Sequence, residues 1–468
     1  MKVKNIPNTW LLEEGYRLSA TPHMSEARAA KKLLQSLHLK KNLLLQLTKG
    51  ETKGILNGPR FARNYVESAN HGVPLLSGST ILQADISDAP LISKRQAASM
   101  PEIILEEGTT LITSYGTVGR VAYTRKDMEG AVGSDNVMKV YPDPSKIWPG
   151  YLYTFLSSRF GVPIVTVGTS GGTVPFLTPE RVYEIPVPRF DSEFEEKIHN
   201  LIQKASKLRV EASTDLRKAE IDLMSELGFP DDFKVQNRVH LGNQVSSSTL
   251  LETYRLEGFY YNQEALSVEN WVDSYSNQYW NLEEVAHVFD VPPFKHIYVG
   301  QEEGVPFFTS GDLFKLNKEV DKYLSRTQTK NLEKYILQKE WVLLARSGQL
   351  GGIIGKPQFS DSAMQGAAAS DHVIRILPDK KKIKPGYLYT YLASQKIGYP
   401  LITRTMTGAS IPALWPVYLN KVKVVKASDD FMSMVDILVQ AAFEKRVQAT
   451  QIEREAREML ESAIEAAA

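Results

Sequence analysis

The chain has 468 residues, 43% of them hydrophobic, with a net charge of +1 and no cysteine. Its length is that of roughly three ordinary domains with well-buried cores, and the missing cysteines exclude disulfides, thiolate nucleophiles and cysteine-bound zinc or iron–sulfur centres. A net charge of +1 says little about partners: a nucleic-acid binder that works alone usually carries a basic excess, because phosphate contacts supply most of its grip, so any DNA binding by this chain is expected to be shared with partners.

In chain order the sequence states its elements twice. Leu11-Leu12-Glu13-Glu14-Gly15-Tyr16-Arg17-Leu18 returns as Leu250-Leu251-Glu252-Thr253-Tyr254-Arg255-Leu256, and Pro59-Arg60-Phe61-Ala62-Arg63-Asn64-Tyr65-Val66 as Pro292-Pro293-Phe294-Lys295-His296-Ile297-Tyr298-Val299. Gly72-Val73-Pro74-Leu75-Leu76 and Gly304-Val305-Pro306-Phe307-Phe308 read as short buried strands entered through a Gly-x-Pro turn. A strand then enters a glycine-rich turn and leaves it over 110–121, matched by 341–353, with the frame shared and the polar side chains different. Gly130-Ala131-Val132-Gly133-Ser134-Asp135-Asn136-Val137 pairs with Gly366-Ala367-Ala368-Ala369-Ser370-Asp371-His372-Val373, and each leads into an apolar strand.

The clearest repeat is Pro149-Gly150-Tyr151-Leu152-Tyr153-Thr154-Phe155-Leu156, which recurs 236 positions on as Pro385-Gly386-Tyr387-Leu388-Tyr389-Thr390-Tyr391-Leu392. An offset close to half the chain means that a whole unit was duplicated. Each copy of this segment reads as a buried helix, closed by Gly161-Val162-Pro163 and Gly398-Tyr399-Pro400. Polar, glycine-bearing loops at 168–175 and 405–412 follow.

Both copies end in a long helix with a seven-residue pattern. In the first, Phe194, Leu201 and Leu208 form one row and Ile198, Ala205, Ala212 and Ala219 another. In the second, Phe431, Leu438, Ile452 and Met459, interrupted by Lys445, run beside Val435, Ala442, Ala449, Ala456 and Ala463. Such a two-row seam packs helix on helix, and its alanines permit close approach, so the two helices are expected to lie antiparallel as a rod of about 55 Å at 1.5 Å per residue. The implied division is a domain over 1–189, a helix over 190–228, a linker over 229–249, a second domain over 250–427 and a second helix over 428–468.

No catalytic constellation emerges. Val291-Pro292-Pro293-Phe294 lacks the hydrogen-bonding residue of an adenine-methylating motif, and Gly351-Gly352-Ile353-Ile354-Gly355-Lys356-Pro357 fails as a phosphate loop because Leu350 and Pro357 stand at two required positions. Ser134-Asp135-Asn136 and Ser370-Asp371-His372 read as structural turns. The eight histidines lack metal-ligand spacing. The opening Met1-Lys2-Val3-Lys4-Asn5-Ile6-Pro7 lacks the apolar core of a signal peptide, and no run of 18 apolar residues occurs, so a cytoplasmic location is expected.

Taken together, the repeated Tyr-Arg-Leu openings, the Ser/Arg-x-Gly-x-x-Gly turns, the Pro-Gly-Tyr-Leu-Tyr helices and the terminal heptad helices resemble the specificity subunit of Type I restriction-modification systems, over essentially the full length. The resemblance implies an α+β, internally duplicated fold: two globular α/β target-recognition domains separated by two long antiparallel coiled-coil helices. It further implies a non-catalytic subunit that reads a bipartite double-stranded DNA target, one half per domain, as part of phage defence. The partners it implies are two copies of an N6-adenine DNA methyltransferase subunit, which carry the S-adenosylmethionine, and restriction–translocase subunits; no cofactor is expected in this chain.

Base edges are read by side chains that present paired hydrogen-bonding groups, and phosphates by cations and hydroxyls. The candidate DNA-facing residues are therefore Ser114, Thr117, Arg120, Ser170, Thr173, Arg346, Gln349 and Arg404, with Arg346 and Gln349 the sharpest because they can address guanine and adenine bidentately. Candidates for helix packing and partner docking are Phe194, Leu201, Ala205, Leu208, Ala212, Phe431, Leu438, Ala442, Ala449 and Ile452. Since the polar residues of the two glycine turns differ, a non-palindromic target is expected. The competing readings are a coiled-coil scaffold with two ligand-binding domains that never meets DNA, and a specificity subunit of a related methylation-linked phage-defence system.

Overall fold

The computed structural model describes residues 5–13, 26–167, 169, 174–233, 246–275, 278–408 and 410–468. It divides into two compact units, one formed by Met1–Val210 with Gln448–Ala468 and the other by Glu211–Val447. The expected boundaries at 189/190 and 427/428 are thus not where the compact units part. The division falls inside both long helices, Ser192–Glu226 and Asp429–Ala466. Each unit contains a stretch of both helices as part of its own core, because the seam residues are the floor on which the sheet domain packs.

In the first unit an antiparallel sheet has the strand order Ile55–Leu56, Val137–Val140, Thr110–Thr113, Val121–Tyr123, with Thr110 opposite Val140 and Thr113 opposite Val137. The second unit repeats it as Ala286–Phe289, Val373–Pro378, Val342–Ala345, Pro357–Phe359, with Val342 opposite Ile376 and Ala345 opposite Val373. A second sheet runs Tyr65–Val66, Leu91–Ser93, Gly72–Leu76, Val132–Gly133, and its counterpart Tyr298–Val299, Tyr323–Ser325, Gly304–Phe308, Ala368–Ala369. Its last pairing is parallel in both units. The expected Gly-x-Pro strands and the strand–turn–strand frames all appear. Thr110–Thr113 and Val342–Ala345 are buried along their whole length, which is why neither alternates polar with apolar residues.

The Pro-Gly-Tyr helices, Pro149–Ser157 and Pro385–Ala393, begin with proline in the first turn, where its missing N–H costs nothing. Tyr151 and Tyr387 are wholly buried, and each hydroxyl donates to a backbone carbonyl, Pro188 at 2.6 Å and Val425 at 2.7 Å. Gly161 and Gly398 do not close this segment as expected. They open a further short helix in each unit, Gly161–Val167 and Gly398–Arg404. A Cβ on either glycine would stand 2.1 Å from the carbonyl oxygen of Phe155 or Tyr391, so glycine there serves close helix packing rather than a turn.

The alanine rows are buried as expected: Ala205, Ala212, Ala219, Ala442, Ala449 and Ala456. Their partner row is not Phe194, Leu201 and Leu208, nor Phe431, Leu438 and Ile452, all of which are half-buried on the flank. The second buried row alternates with the alanines at three- and four-residue steps: Glu195, Ile202, Arg209, Leu223, and Met432, Val439, Arg446, Glu453, Leu460. Reading apolarity alone missed it because four of those positions are charged. Three of the charges, Glu195, Arg209 and Glu453, are neutralised locally. Arg189 grips Glu195 bidentately at 2.8 Å, and Arg209 pairs with Glu453, which also accepts from the Tyr153 hydroxyl. In the second unit Lys445, the residue that interrupts the apolar row, bonds Asp215 at 2.7 Å.

The stretch 229–249 is not linker throughout. Phe229 is buried in the second unit's core against Trp271, and a helix spans Ser247–Thr253. Of the expected opening repeat 11–18, residues 14–18 lie outside the described residues.

Candidate nucleic-acid interface

In the first unit the glycine turn after Thr113 is tied to the loop that follows the short helix Gly161–Val167. Gly116 donates to the Pro175 carbonyl at 3.1 Å, Leu177 donates to the Ser114 carbonyl at 2.9 Å, and the rings of Tyr115 and Phe176 stack at 6.1 Å. Gly119 turns the chain with φ +87, and a Cβ there would meet Thr166 Cγ2 at 2.2 Å. The second unit repeats this: Gly355 has φ +75 and its Cβ would lie 3.0 Å from Thr403 Cγ2. Gly348 donates to the Pro412 carbonyl at 3.3 Å, and Leu414 donates to the Arg346 carbonyl at 2.8 Å. Two turns of related backbone are thus each welded to their own polar loop.

On this frame Thr117 and Arg120 are exposed, as is Gln349. Arg346 is held rather than free: it pairs with Asp290 at 3.4 Å and lies 4.3 Å from the Trp415 ring centre, whose indole N–H donates to Thr407 at 2.9 Å. That aims a guanidinium edge beside an aromatic wall, an arrangement able to address a base edge. Ser114 is buried, its hydroxyl without a partner among the described residues, so its part in the turn is played by its backbone. Arg404 is only 7% exposed, pairs with Glu269, donates to the Tyr260 carbonyl at 2.9 Å and stacks on the Tyr260 ring. These contacts make it an internal tie of the second unit, outside the exposed face. Ser170 and Thr173 lie outside the described residues.

A buried cation supports the Ser-Asp turn in each unit. Lys139 donates to the carbonyls of Asn57 and Ser134, each at 2.7 Å, and burial pulls its pKa down to about 7. Arg375, its counterpart, donates to Val373 at 2.6 Å and Ala369 at 2.8 Å, and burial lowers its pKa to about 10. Above these cations the turns carry Asp135 and Asp371. Asp135 meets Arg63 at 3.3 Å and Arg60 at 3.7 Å; Asp371 lies 4.0 Å from His296 and 3.9 Å from His372.

Sequence reasoning did not single out Arg60, Arg63, Tyr65, His296 or Tyr298. Tyr65 and Tyr298 occupy the same place in two copies of one segment, and it is their exposure in the fold, 57% and 46%, that marks them out. Val174 and Ile411 are likewise exposed just before the prolines of the two polar loops. Among the described residues no cluster of three or more histidines, cysteines or carboxylates could hold a metal ion. No described helix is long and apolar enough to cross a membrane.

No family model matches the sequence, and no curated protein matches it. Among solved structures, the chain is similar to the crystal structure of a Type-I restriction-modification system S subunit from M. genitalium, with 11% identity, a TM-score of 0.35, and coverage of 92% of this chain and 95% of that one. It is also similar to the HsdS subunit from Thermoanaerobacter tengcongensis, with 14% identity, a TM-score of 0.27 and coverage of 91% and 96%. A third similar structure concerns complex assembly and conformational transition of the type I R-M system, with 14% identity, a TM-score of 0.28 and coverage of 91% and 97%.

Proposed function

We propose that this chain is a non-catalytic, sequence-specific DNA-recognition subunit of the Type I restriction-modification kind. Each unit reads one half of a bipartite, non-palindromic duplex target, and the long helices scaffold two N6-adenine methyltransferase subunits, with restriction–translocase subunits joining the same assembly. S-adenosylmethionine belongs to the methyltransferase.

The observation that carries this reading is a strand frame repeated in both units whose connecting glycine turn, 114–120 in one and 346–356 in the other, differs in length and in side chains. The glycine turns occupy the same place after Thr110–Thr113 and Val342–Ala345, yet one offers Thr117 and Arg120 and the other Arg346 and Gln349. A scaffold that is duplicated while its polar tips diverge suits two readers of different base sequences. A charge near zero suits a reader whose phosphate grip is shared.

The test is co-expression of the full chain with the methyltransferase encoded beside it, followed by sequencing of the DNA for N6-methyladenine. A gapped, two-part methylated motif that vanishes when the chain is omitted establishes the reading, and two unequal halves establish that the target is non-palindromic. Methylation that persists unchanged without the chain moves the weight to the scaffold that never meets DNA.

A further inference from the structure

Duplication separates what a reader shares between half-sites from what it reads in each. Bases differ between halves; the sugar-phosphate backbone does not. Exposed groups kept in both copies should therefore face the backbone, and those that diverge should face the bases.

The kept groups lie on the outermost strand of the second sheet in each unit. Tyr65 stands opposite Ile92 and Tyr298 opposite Leu324, both on two-residue edge strands. Large exposed aromatics forgo the burial that Tyr151 and Tyr387 gain. A cation accompanies each ring: Arg63 stands two residues before Tyr65, exposed beside Asp135, and the Lys322 ammonium lies 5.6 Å from the Tyr298 ring centre. A carboxylate borders each group, Asp135 against Arg63 and Asp371 against His296. Arg60, 77% exposed at its side chain, extends the first ledge and bonds the Tyr115 hydroxyl of the glycine turn at 3.2 Å. That bond links the ledge to the turn offered as the base reader.

We infer that the outer edge of the second sheet in each unit is a phosphate-binding ledge for duplex DNA, in which Arg63 with the Tyr65 hydroxyl, and Lys322, immediately before the neighbouring strand, with the Tyr298 hydroxyl, hold a backbone phosphate beside the bases that the glycine turn addresses. This rests on the DNA reading above. In the first unit Asp135 holds Arg63 in the free protein, and a phosphate oxygen replaces that carboxylate as its partner on binding. The ledge sets register and adds no sequence preference.

The experiment measures duplex affinity of the assembled complex, the chain with its methyltransferase subunits, across a salt titration on a duplex carrying the methylated motif and on one with the motif scrambled. Arg63→Gln and Lys322→Gln are each expected to weaken both duplexes several-fold alike and to flatten the slope of log affinity against log salt by about 0.9, the loss of one phosphate contact. Tyr65→Phe and Tyr298→Phe are expected to weaken both duplexes equally without altering the motif. A loss confined to the motif duplex would make these residues base readers, and an unchanged slope would remove them from the interface; either overturns the ledge. Failure of the unaltered complex to bind either duplex would instead overturn the DNA reading itself. Because all four side chains sit at the surface, unchanged melting curves show that the variants fold.

Discussion

The backbone N–H of Gly150 donates to Nδ1 of His199 across 3.1 Å, and that of Gly386 donates to Oδ1 of Asp436 across 2.6 Å. In each unit a side chain of a long helix thus caps the start of the Pro-Gly-Tyr helix, satisfying an amide that the helix itself cannot. The acceptors differ in one respect. Aspartate accepts throughout the neutral range, whereas His199 accepts at Nδ1 only while that nitrogen is unprotonated.

Burial lowers the His199 pKa below the ordinary imidazole value of about 6.5. The sign follows directly: the folded first unit favours the neutral ring, so this contribution is complete above about pH 6.5 and is lost as pH falls through the lower folded value. His199→Asp is expected to remove that acid-side loss by reproducing the Asp436 cap, at some cost from the stacking of His199 on Trp148 at 5.0 Å. Melting temperature against pH from 8 to 5 checks it. Parallel curves for the two proteins below pH 6.5 would show that the cap does not titrate.

The caps also fix why glycine stands at both positions. An added Cβ would lie 2.9 Å from His199 Cα and 2.6 Å from Asp436 Cα, distances that backbone atoms do not yield cheaply. Gly150→Ala and Gly386→Ala are each expected to destabilise their unit by about 1–3 kcal/mol, as overpacking does. Gly258→Ala, with nothing within 4 Å of its Cβ, is the matched control. Denaturant unfolding of the three variants decides the matter, and equal midpoints would mean that the long helix moves aside freely.

A third expectation concerns the charged positions of the helix seam. Glu453 is 1% exposed, and although burial opposes its charge, Arg209 and Arg457, with the Tyr153 and Arg209 hydrogen bonds, bring its pKa down to about 2. A carboxylate so depressed stabilises the fold above its ordinary value near 4.5, and that stability fades as pH falls through about 2. Glu453→Gln is expected to cost about 3–5 kcal/mol by leaving Arg209 buried without its counter-charge. Replacing both by leucine should cost much less. If the double variant proves as unstable as the single one, the pair contributes attraction beyond mere neutralisation.

These same residues show how far the sequence could be read. The duplication was legible because whole segments recur half a chain apart, and the glycine turns, the Tyr helices and the alanine rows because each rests on spacing within a few residues. The second seam row was not: Arg209 and Glu453 break the apolar pattern, and their partnership spans 244 positions. Arg404 looked like a surface cation for the same reason, since Glu269, its counter-charge, lies 135 positions away. Tyr65 and Tyr298 were passed over because aromatics in a duplicated strand are ordinarily core, and only their exposure marks them out. Local patterning announces elements, whereas the partner that neutralises a charge is chosen by the tertiary fold.

Arg346 and Arg404 therefore make a decisive pair. Both are arginines of the second unit, each against a carboxylate and an aromatic ring. Arg346 borders the glycine turn, with Gln349 exposed three residues on, while Arg404 is sealed inside. Arg346→Gln is expected to leave melting temperature nearly unchanged and to relax discrimination at one half-site by about 1–3 kcal/mol, the worth of a bidentate base contact. The other half-site should be methylated as before. Arg404→Gln should do the reverse, lowering melting temperature because Glu269 loses its buried partner, while the folded fraction keeps the original motif. Motif mapping and melting of both variants test the division, and loss of specificity from Arg404→Gln with full stability would place the reading surface on the Arg404 side of the loop.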